Sequence, residues 1–168
     1  MVIAKLNALE RNEAVAVFQK CCGSSAWASK MAESRPFETL QEIHEAADAL
    51  WAEVGREDVL EAFTHHPEIG ADVDLLRQKF ASTATWSAGE QSSVSQASED
   101  TLHALRDGNL AYKAKFGYIF IVCATGKSAE EMLQILEARL PNSPEVEFEI
   151  AKGEQAKITR LRLEKLEL

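Results

Sequence analysis

The sequence predicts an all-α fold, a single-domain irregular bundle of about seven to nine helices. Three observations lead to this prediction. Apolar residues recur at helical spacing along most of the chain, helix-capping motifs precede several of these segments, and only one short stretch has the composition of a β-strand. The chain has 168 residues, enough to bury a sizeable core, so we expect one domain over residues 1–168.

The first half of the chain is expected to form four helices. Asn12 is a candidate N-cap for the first, and the sequence "RPF" ends the second. The third has the clearest start, because Thr39 and Glu42 form a capping box, and Gly55 ends it. The expected ranges are about 12–22, 25–32, 39–54 and 57–65.

The second half contains four more helical patterns. Ser128 and Glu131 form another capping box, and Pro141 and Pro144 bracket the loop before the last helix. The expected helices cover about 73–80, 99–116, 128–140 and the segment after Pro144. The core candidates of the last helix are Val146, Ile150, Ile158, Leu161 and Leu166.

Two stretches of the second half do not read as helices. The polar sequence "SAGEQSSVSQASED" is expected to be a loop. The sequence "FGYIFIVCA" is rich in β-branched and aromatic residues, which favours a strand. A lone strand cannot satisfy its own backbone, so we expect this stretch to be buried, and partly extended or helical.

Composition and charge narrow the functional class. The net charge of −9 argues against a nonspecific nucleic-acid binder, because such a chain repels phosphates. The longest apolar run is too short to span a bilayer, and the N-terminus has no apolar core of a secretion signal. Cys21, Cys22 and Cys123 form no disulfide framework, as expected in a reducing compartment. We therefore expect a cytoplasmic protein without a nucleic-acid or membrane partner.

The stretch "THHPEIG" at residues 64–70 is the first candidate site. A single histidine at the end of a helix is readily explained as a cation at the negative end of the helix dipole. On a helix, however, His65 and His66 point roughly 100° apart, so we do not expect them to share one role. Pro67 fixes the chain direction after them, and Gly70 lets the backbone approach a neighbour closely. The pattern indicates a built site rather than a frayed helix end.

Two further groups of polar residues have both a structural and a functional interpretation. Ser87 and Glu90 have the spacing of a capping box, and the same helix N-terminus would offer free N–H donors to an anion. Arg160 and Arg162 would point about 200° apart on the last helix. Either arginine could lie along the surface or present a planar fork to a carboxylate, and the spacing does not choose between them.

The sequence predicts no metal site. The sequence "HHPE" lacks the H-E-x-x-H spacing of zinc enzymes, and "GKS" at residues 126–128 lacks the upstream glycine of a phosphate-binding loop. Cys123 has no electropositive motif beside it that would activate a thiolate.

The combination of motifs resembles the 2-oxo-4-hydroxy-4-carboxy-5-ureidoimidazoline (OHCU) decarboxylase family over essentially the whole chain, from Leu6 to Leu166. The motifs that carry the resemblance are "LNAL", a tryptophan and "RPF", "HHPEIG", "SAGEQ", "YKAKFGYIFIVCA" and "KITRLRLEKL". The resemblance implies an all-helical, cofactor-free homodimer. It also implies that the chain converts the small-molecule substrate OHCU to (S)-allantoin and CO2 during urate degradation.

The resemblance also implies roles for individual residues. His66 matches the catalytic histidine, and Arg162 matches an arginine of the last helix, with Arg160 as an alternative. Glu90 is expected to complete the catalytic group by orienting the ring or His66. The implied substrate contacts are Pro67, Ser87, Gln91, Phe120, Ile121, Val122, Cys123 and Ala124, the last five through backbone groups. His65 is better explained as structural.

Two other functional classes remain as alternatives to this assignment. A non-enzymatic helical interaction domain would require an exposed apolar groove instead of a closed polar pocket. A metal-dependent hydrolase would use His65, His66 and a carboxylate, and its turnover would be sensitive to chelation.

Overall fold

The computed structural model describes the backbone of residues 3–81 and 88–168 and the side chains of residues 3–80 and 99–168. Within these ranges the chain forms nine α-helices and no strand, which confirms the predicted all-α class and the number of helices. The helices are α1 Ile3–Ala8, α2 Arg11–Cys21, α3 Ser25–Glu33, α4 Leu40–Glu53, α5 Arg56–Thr64, α6 Val73–Ala81, α7 Ala88–Phe116, α8 Ala129–Arg139 and α9 Pro144–Glu164. None of these helices is long and apolar enough to cross a membrane.

Of the two capping boxes that the sequence predicted, the one at the start of α8 is complete, and the one at the start of α4 forms only in its Thr39 half. The Thr39 hydroxyl accepts the Glu42 N–H at 3.1 Å, and the Glu42 side chain closes the turn by accepting the Glu38 N–H at 2.7 Å. Ser128 and Glu131 form a complete capping box at the start of α8. Both motifs satisfy N–H groups that the first turn of a helix leaves without a partner.

Two local predictions were wrong, and one helix, α1, was not predicted. Asn12 does not cap α2, which begins at Arg11 after Glu10, without a side-chain cap. The polar stretch expected to be a loop is helical from Ala88 onwards. It has no apolar periodicity by which a helix could be recognised, but after Gly89 it also has no glycine or proline to stop one.

The buried face of α9 also differs from the prediction. Val146 and Ile150, two predicted core residues, are exposed. The residues buried along α9 are mostly polar or small: Glu147, Phe148, Ala151, Glu154, Gln155, Thr159 and Leu163. An apolar periodicity cannot reveal a buried stripe of this composition, since buried polar groups are retained only where they find partners.

The stretch 116–124 begins at the last residue of α7, and its residues 117–124 are irregular, as expected for a lone segment with strand propensity. Helix α7 ends at Phe116, and Gly117 follows with a positive φ of 85°, a conformation that favours glycine. Tyr118, Phe120, Ile121 and Cys123 are buried, which confirms the predicted burial.

The chain divides into two compact units. The first comprises Met1–His66, Ile121–Cys123 and Ile150–Leu168, and the second comprises Pro67–Phe120 and Ala124–Glu149. The predicted single domain over residues 1–168 therefore stays a prediction.

Helix α3 is the centre of the first unit, where it packs on α2, α4 and α5. Its Trp27 is fully buried, meets Phe18 edge to face at 6.0 Å between ring centroids, and donates its indole N–H to the Ala47 carbonyl at 3.1 Å. Trp51 of α4 donates its indole N–H to the Lys152 carbonyl of α9 at 2.9 Å. Large aromatic side chains thus pack in the interior of the first unit, and both indoles have a hydrogen-bond partner for their N–H.

The second unit is built on α7, which packs on α6 and α8. Its interior contains an ion pair, in which the Arg139 Nη2 lies 2.5 Å from the Glu147 Oε2. The Tyr112 hydroxyl donates to the same carboxylate, and the Asn142 amide donates to its other oxygen at 3.2 Å. Burial and the Glu147 carboxylate raise the pKa of Tyr112 far above its usual value, so the phenol stays protonated. All four side chains of this cluster form hydrogen bonds or ion pairs with one another, as a buried charge requires.

We predict that Arg139→Met lowers the free energy of unfolding by about 3–5 kcal/mol, because it leaves the Glu147 carboxylate buried without its cation. Urea denaturation followed by circular dichroism measures the loss. The matched control is Arg11→Met, which breaks the exposed Arg11–Glu33 pair and is expected to lose less than about 1 kcal/mol. Equal losses in the two variants would contradict this account of the cluster.

Candidate active site

The two histidines lie where α5 ends, as the sequence predicted. The His65 N–H donates to the Ala62 carbonyl at 3.2 Å, and the His66 N–H donates to the Phe63 carbonyl at 3.4 Å. These bonds span three residues, so the last turn is tightened just before Pro67 prevents the helix from continuing. The break separates the environments of the two rings, because His65 is exposed and His66 is half-buried.

The ring of His66 is held by a residue of α9. Its Nε2 lies 2.5 Å from the Oε1 of Gln155, whose side chain is fully buried. The Gln155 amide nitrogen donates to the Thr159 hydroxyl at 3.1 Å, four residues further along the helix. Both ends of the amide are therefore engaged, which fixes its position and through it the position of the His66 ring.

The surroundings of His66 keep its ring neutral. Burial lowers the pKa of His66 below its usual 6.5, and the positive charges of Arg162 and His65 lower the pKa further. The hydrogen bond with Gln155 opposes these effects, since a carbonyl oxygen stabilises the protonated ring. Burial is the largest of the four causes, so the free protein at neutral pH presents His66 mainly as an uncharged imidazole.

Arg162 lies on the same side of α9 as Gln155. Residues 155, 159 and 162 recur at helical spacing and share one face of the helix. Arg162 Nη1 donates to the Cys21 carbonyl at 3.4 Å, and the positive charge of Arg162 lowers the pKa of His66. Arg162 as a whole residue is exposed and lines an open groove, where a ligand could reach it.

Arg160 lies on a different side of α9. Its Nε is 3.7 Å from the Glu164 carboxylate, and it lines a very small cavity beside His44. Burial lowers the pKa of His44, and the charge of Arg160 lowers it further. The two arginines that the sequence could not distinguish are thus in different surroundings, and of the two only Arg162 affects the pKa of His66.

His65 packs against the backbone of Gly23. A Cβ atom placed on Gly23 would come within 2.5 Å of the His65 Cγ, so this close approach requires glycine. The ring and Arg162 both line an open groove of about 350 Å³ on the first unit.

The carboxylate of Glu154, the residue before Gln155 in α9, holds the segment Ile121–Cys123. The Cys123 N–H donates to the Glu154 Oε1 at 3.2 Å, and the other Glu154 oxygen pairs with Lys157 at 2.6 Å. Glu154 and Cys123 are buried, and Val122 is half-buried. Two adjacent residues of α9 therefore hold the parts of the predicted site that belong to the first unit. Glu154 binds the backbone N–H of Cys123, and Gln155 binds the ring of His66.

Sequence analysis did not identify Glu154, Gln155 or Thr159 as site residues. The sequence does carry a signal in the middle of α9. Gln155, Thr159 and Arg162 recur at spacings of four and three, which places these polar residues on one face of a helix. This spacing alone does not reveal a site, because the partner of Gln155 is distant in the sequence: His66 is 89 positions away.

The remaining predicted contacts belong to the second unit or fall outside the described side chains. Pro67 and Phe120 line a cavity of about 50 Å³ together with Asn109 and Lys113. The Ala124 carbonyl accepts the Lys127 N–H at 3.0 Å in the turn before α8. Glu90 and Gln91 lie in α7, but their side chains are outside the described part, and Ser87 lies outside the described residues altogether.

The described side chains include no group of three or more histidines, cysteines, aspartates or glutamates placed to bind a metal ion. The three cysteines are free thiols. Burial raises the pKa of Cys21 to about 11, and burial also raises the pKa of Cys22, which keeps both thiols protonated at neutral pH.

Known proteins place this architecture in one family. The sequence profile of the family described as OHCU decarboxylase matches residues 7–164. The 2-oxo-4-hydroxy-4-carboxy-5-ureidoimidazoline decarboxylase of Mus musculus is 33% identical over 175 residues, covering 97% of this chain and 91% of the mouse protein. A crystal structure of an OHCU decarboxylase in the presence of (S)-allantoin superposes with a TM-score of 0.72 at 40% identity, covering 94% of this chain and 97% of that one.

A longer relative shares the same region. The uric acid degradation bifunctional protein TTL of Arabidopsis thaliana is 43% identical over 148 residues, which is 87% of this chain and 45% of the plant protein. The chain thus spans less than half of that protein. These comparisons confirm the predicted family and its class of activity: the chain belongs to the OHCU decarboxylase family, whose members are decarboxylases of uric acid degradation.

Proposed function

We propose that this chain converts OHCU to (S)-allantoin and CO2, with His66 as the group that accepts and returns a proton. One observation carries the proposal for the site. A half-buried imidazole, kept neutral by burial and hydrogen-bonded to the buried Gln155, lies near the positive charge of Arg162. A neutral base beside a cation suits a substrate that carries a carboxylate.

The substrate supplies its own electron sink. Its name places a hydroxyl and a carboxylate on C4 of the ring, and C5 next to it forms a C=N bond. When the bond from C4 to the carboxylate breaks, the electron pair moves between C4 and C5 and the imine nitrogen takes up a proton from water. No cofactor is needed to accept these electrons, which agrees with the cofactor-free activity that the resemblance implies.

His66 completes the reaction by moving one proton. As the carboxylate leaves, the neutral ring takes the proton of the C4 hydroxyl, and C4 becomes a carbonyl carbon. The resulting imidazolium gives this proton to C5, which becomes the stereocentre of allantoin. Because a fixed ring reaches only one face of C5, the product is a single enantiomer. The histidine returns to the neutral state in which it began.

Arg162 is proposed to bind the anionic oxygens of the substrate. Its place beside His66 supports this role, whereas Arg160 is engaged with Glu164. The resemblance further supports Glu90 as the group that orients the ring, and Ser87, Gln91, Pro67 and the backbone of residues 120–124 as substrate contacts. The homodimer and the cytoplasmic location also stay predictions.

We expect His66→Asn to keep its helical content and to lose decarboxylation about 100- to 10,000-fold, the range that acid–base catalysis contributes. Urate, a uricase and a ring-opening hydrolase generate OHCU, and circular dichroism follows the enantiomeric excess of allantoin. A reaction without this protein gives the uncatalysed rate and the racemic baseline. The matched control is His65→Asn, which should retain most of the activity. Full activity and full enantiomeric excess in His66→Asn would refute the assignment.

The pH dependence of kcat/KM follows from the lowered pKa of His66. The neutral ring is the active form of the free enzyme, so kcat/KM is expected to rise with pH, to have its midpoint below 6.5 and to be level at pH 7. Protonation of a histidine that is buried neutral also destabilises the fold as pH falls below 6.5, so circular dichroism must show folded protein at each point. A midpoint above 6.5, or activity that falls as pH rises through that value, would contradict the proposal.

The two arginines provide a comparison within one helix. Arg162→Gln is expected to raise KM about 10-fold or more, since a charged hydrogen-bond partner of the substrate is lost. The same variant should move the acid midpoint of kcat/KM upwards, because the charge of Arg162 lowers the pKa of His66. Arg160→Gln is the control, with KM and midpoint near those of the unmodified protein. The reverse result would assign substrate binding to Arg160.

A further inference from the structure

The contact between His66 and Gln155 contains one hydrogen atom, and its position determines the tautomer of the ring. In one arrangement the ring Nε2–H donates to the amide oxygen. If the amide were turned over, its nitrogen would donate to an unprotonated Nε2. A neutral imidazole has one N–H, so the first arrangement leaves Nδ1 as the acceptor and the second makes Nδ1 the donor.

The far end of the amide favours the first arrangement. The Gln155 amide nitrogen lies 3.1 Å from the Thr159 hydroxyl, and this oxygen accepts the amide N–H. Turning the amide over would require Thr159 to donate to Gln155 instead. Gln155 is fully buried, so neither of its ends can exchange this partner for water.

The atom of the amide that faces the ring also favours the first arrangement. The Gln155 Oε1 lies 2.5 Å from the His66 Nε2, with the amide nitrogen on the side of Thr159. A carbonyl oxygen has no hydrogen to donate, so the ring Nε2–H is the donor of this bond.

We propose that Gln155 is a positioning residue that holds His66 in the tautomer protonated at Nε2, so that Nδ1 exchanges the proton with the substrate. This inference rests on the proposed function of His66. Nδ1 forms no hydrogen bond with any residue whose side chain is described, so its lone pair is available to a ligand. Thr159, which accepts the amide N–H at the far end, fixes the orientation of the amide.

The same bond assists the proton transfer. When Nδ1 accepts a proton, the ring becomes a cation and the Nε2–H bond to the carbonyl oxygen becomes charge-assisted, which strengthens it. Gln155 thus stabilises the imidazolium that forms in the reaction more than the neutral ring that precedes it. An interaction of this kind raises kcat and has little effect on KM.

The tautomer can be measured directly on the whole, ligand-free protein. In ¹⁵N-labelled protein at a pH above the titration of His66, long-range ¹H–¹⁵N spectra distinguish a protonated from an unprotonated ring nitrogen, and His66→Asn assigns the His66 signals. We expect Nε2 to be protonated and Nδ1 to be unprotonated. A ring protonated at Nδ1, or an even mixture of the two tautomers, would overturn the proposal.

Variants of Gln155 test whether this residue sets the tautomer. Gln155→Met keeps the size of the side chain but removes the acceptor. It is expected to make the Nδ1-protonated form detectable and to lower kcat about 10- to 100-fold with KM nearly unchanged. Gln155→Glu restores an acceptor and should restore the Nε2-protonated form. If Gln155→Met retains both the tautomer and kcat, the proposal fails.

Thr159 provides a second route if Gln155→Met does not fold. Thr159→Val keeps the shape of the side chain without the hydroxyl, and should allow the amide to turn and the second tautomer to appear. Thr159→Ser keeps the hydroxyl and is the matched control. The spectra need no turnover, so a protein that does not decarboxylate OHCU refutes the proposed function and leaves the tautomer measurable. An active protein with His66 protonated at Nδ1 refutes this inference alone.

Discussion

The buried amide of Gln155 is the constraint on which the candidate site depends. An unpaired amide in the interior costs about 1–3 kcal/mol for each lost partner, so α9 must place it where both ends are satisfied. Its partners are His66 and Thr159. Thr159 moves with the helix, so a rotation of α9 or a shift along its axis would break the bond to His66, and this bond fixes the rotation of the helix.

The fixed rotation of α9 places two other groups of the first unit. Glu154 precedes Gln155 and holds the Cys123 N–H, and Arg162 follows two turns later on the face of Gln155. An apolar stripe could have packed as well, but apolar contacts tolerate sliding, whereas paired polar groups have one register. This explains why the buried residues of α9 are largely polar, whereas the sequence predicted that Val146 and Ile150 would lie in the core.

Sequence reasoning succeeded where the signal is local. The caps at Thr39 and Ser128 need only residues three or four positions away, and Pro67 marks the helix break that isolates His66. It failed where the partner is distant, as for Gln155, or where two residues have the same local pattern, as for Arg160 and Arg162. Both arginines have similar apolar neighbours in the sequence. Only the fold places Arg162 beside Cys21 and Arg160 beside Glu164.

The charge of Arg162 gives His66 two states that suit two stages of the proposed reaction. In the free protein the guanidinium opposes protonation of the ring, and together with burial it keeps the base ready to accept a proton. In the proposed reaction, a substrate carboxylate paired with Arg162 would neutralise this charge and remove its opposition to protonation of the ring. The ring can then hold the hydroxyl proton until it is returned to C5. When CO2 has left and the pair is broken, the guanidinium again favours the neutral ring, which helps His66 to release the proton. In the proposed reaction, substrate binding would therefore change the proton affinity of the base through one residue of α9.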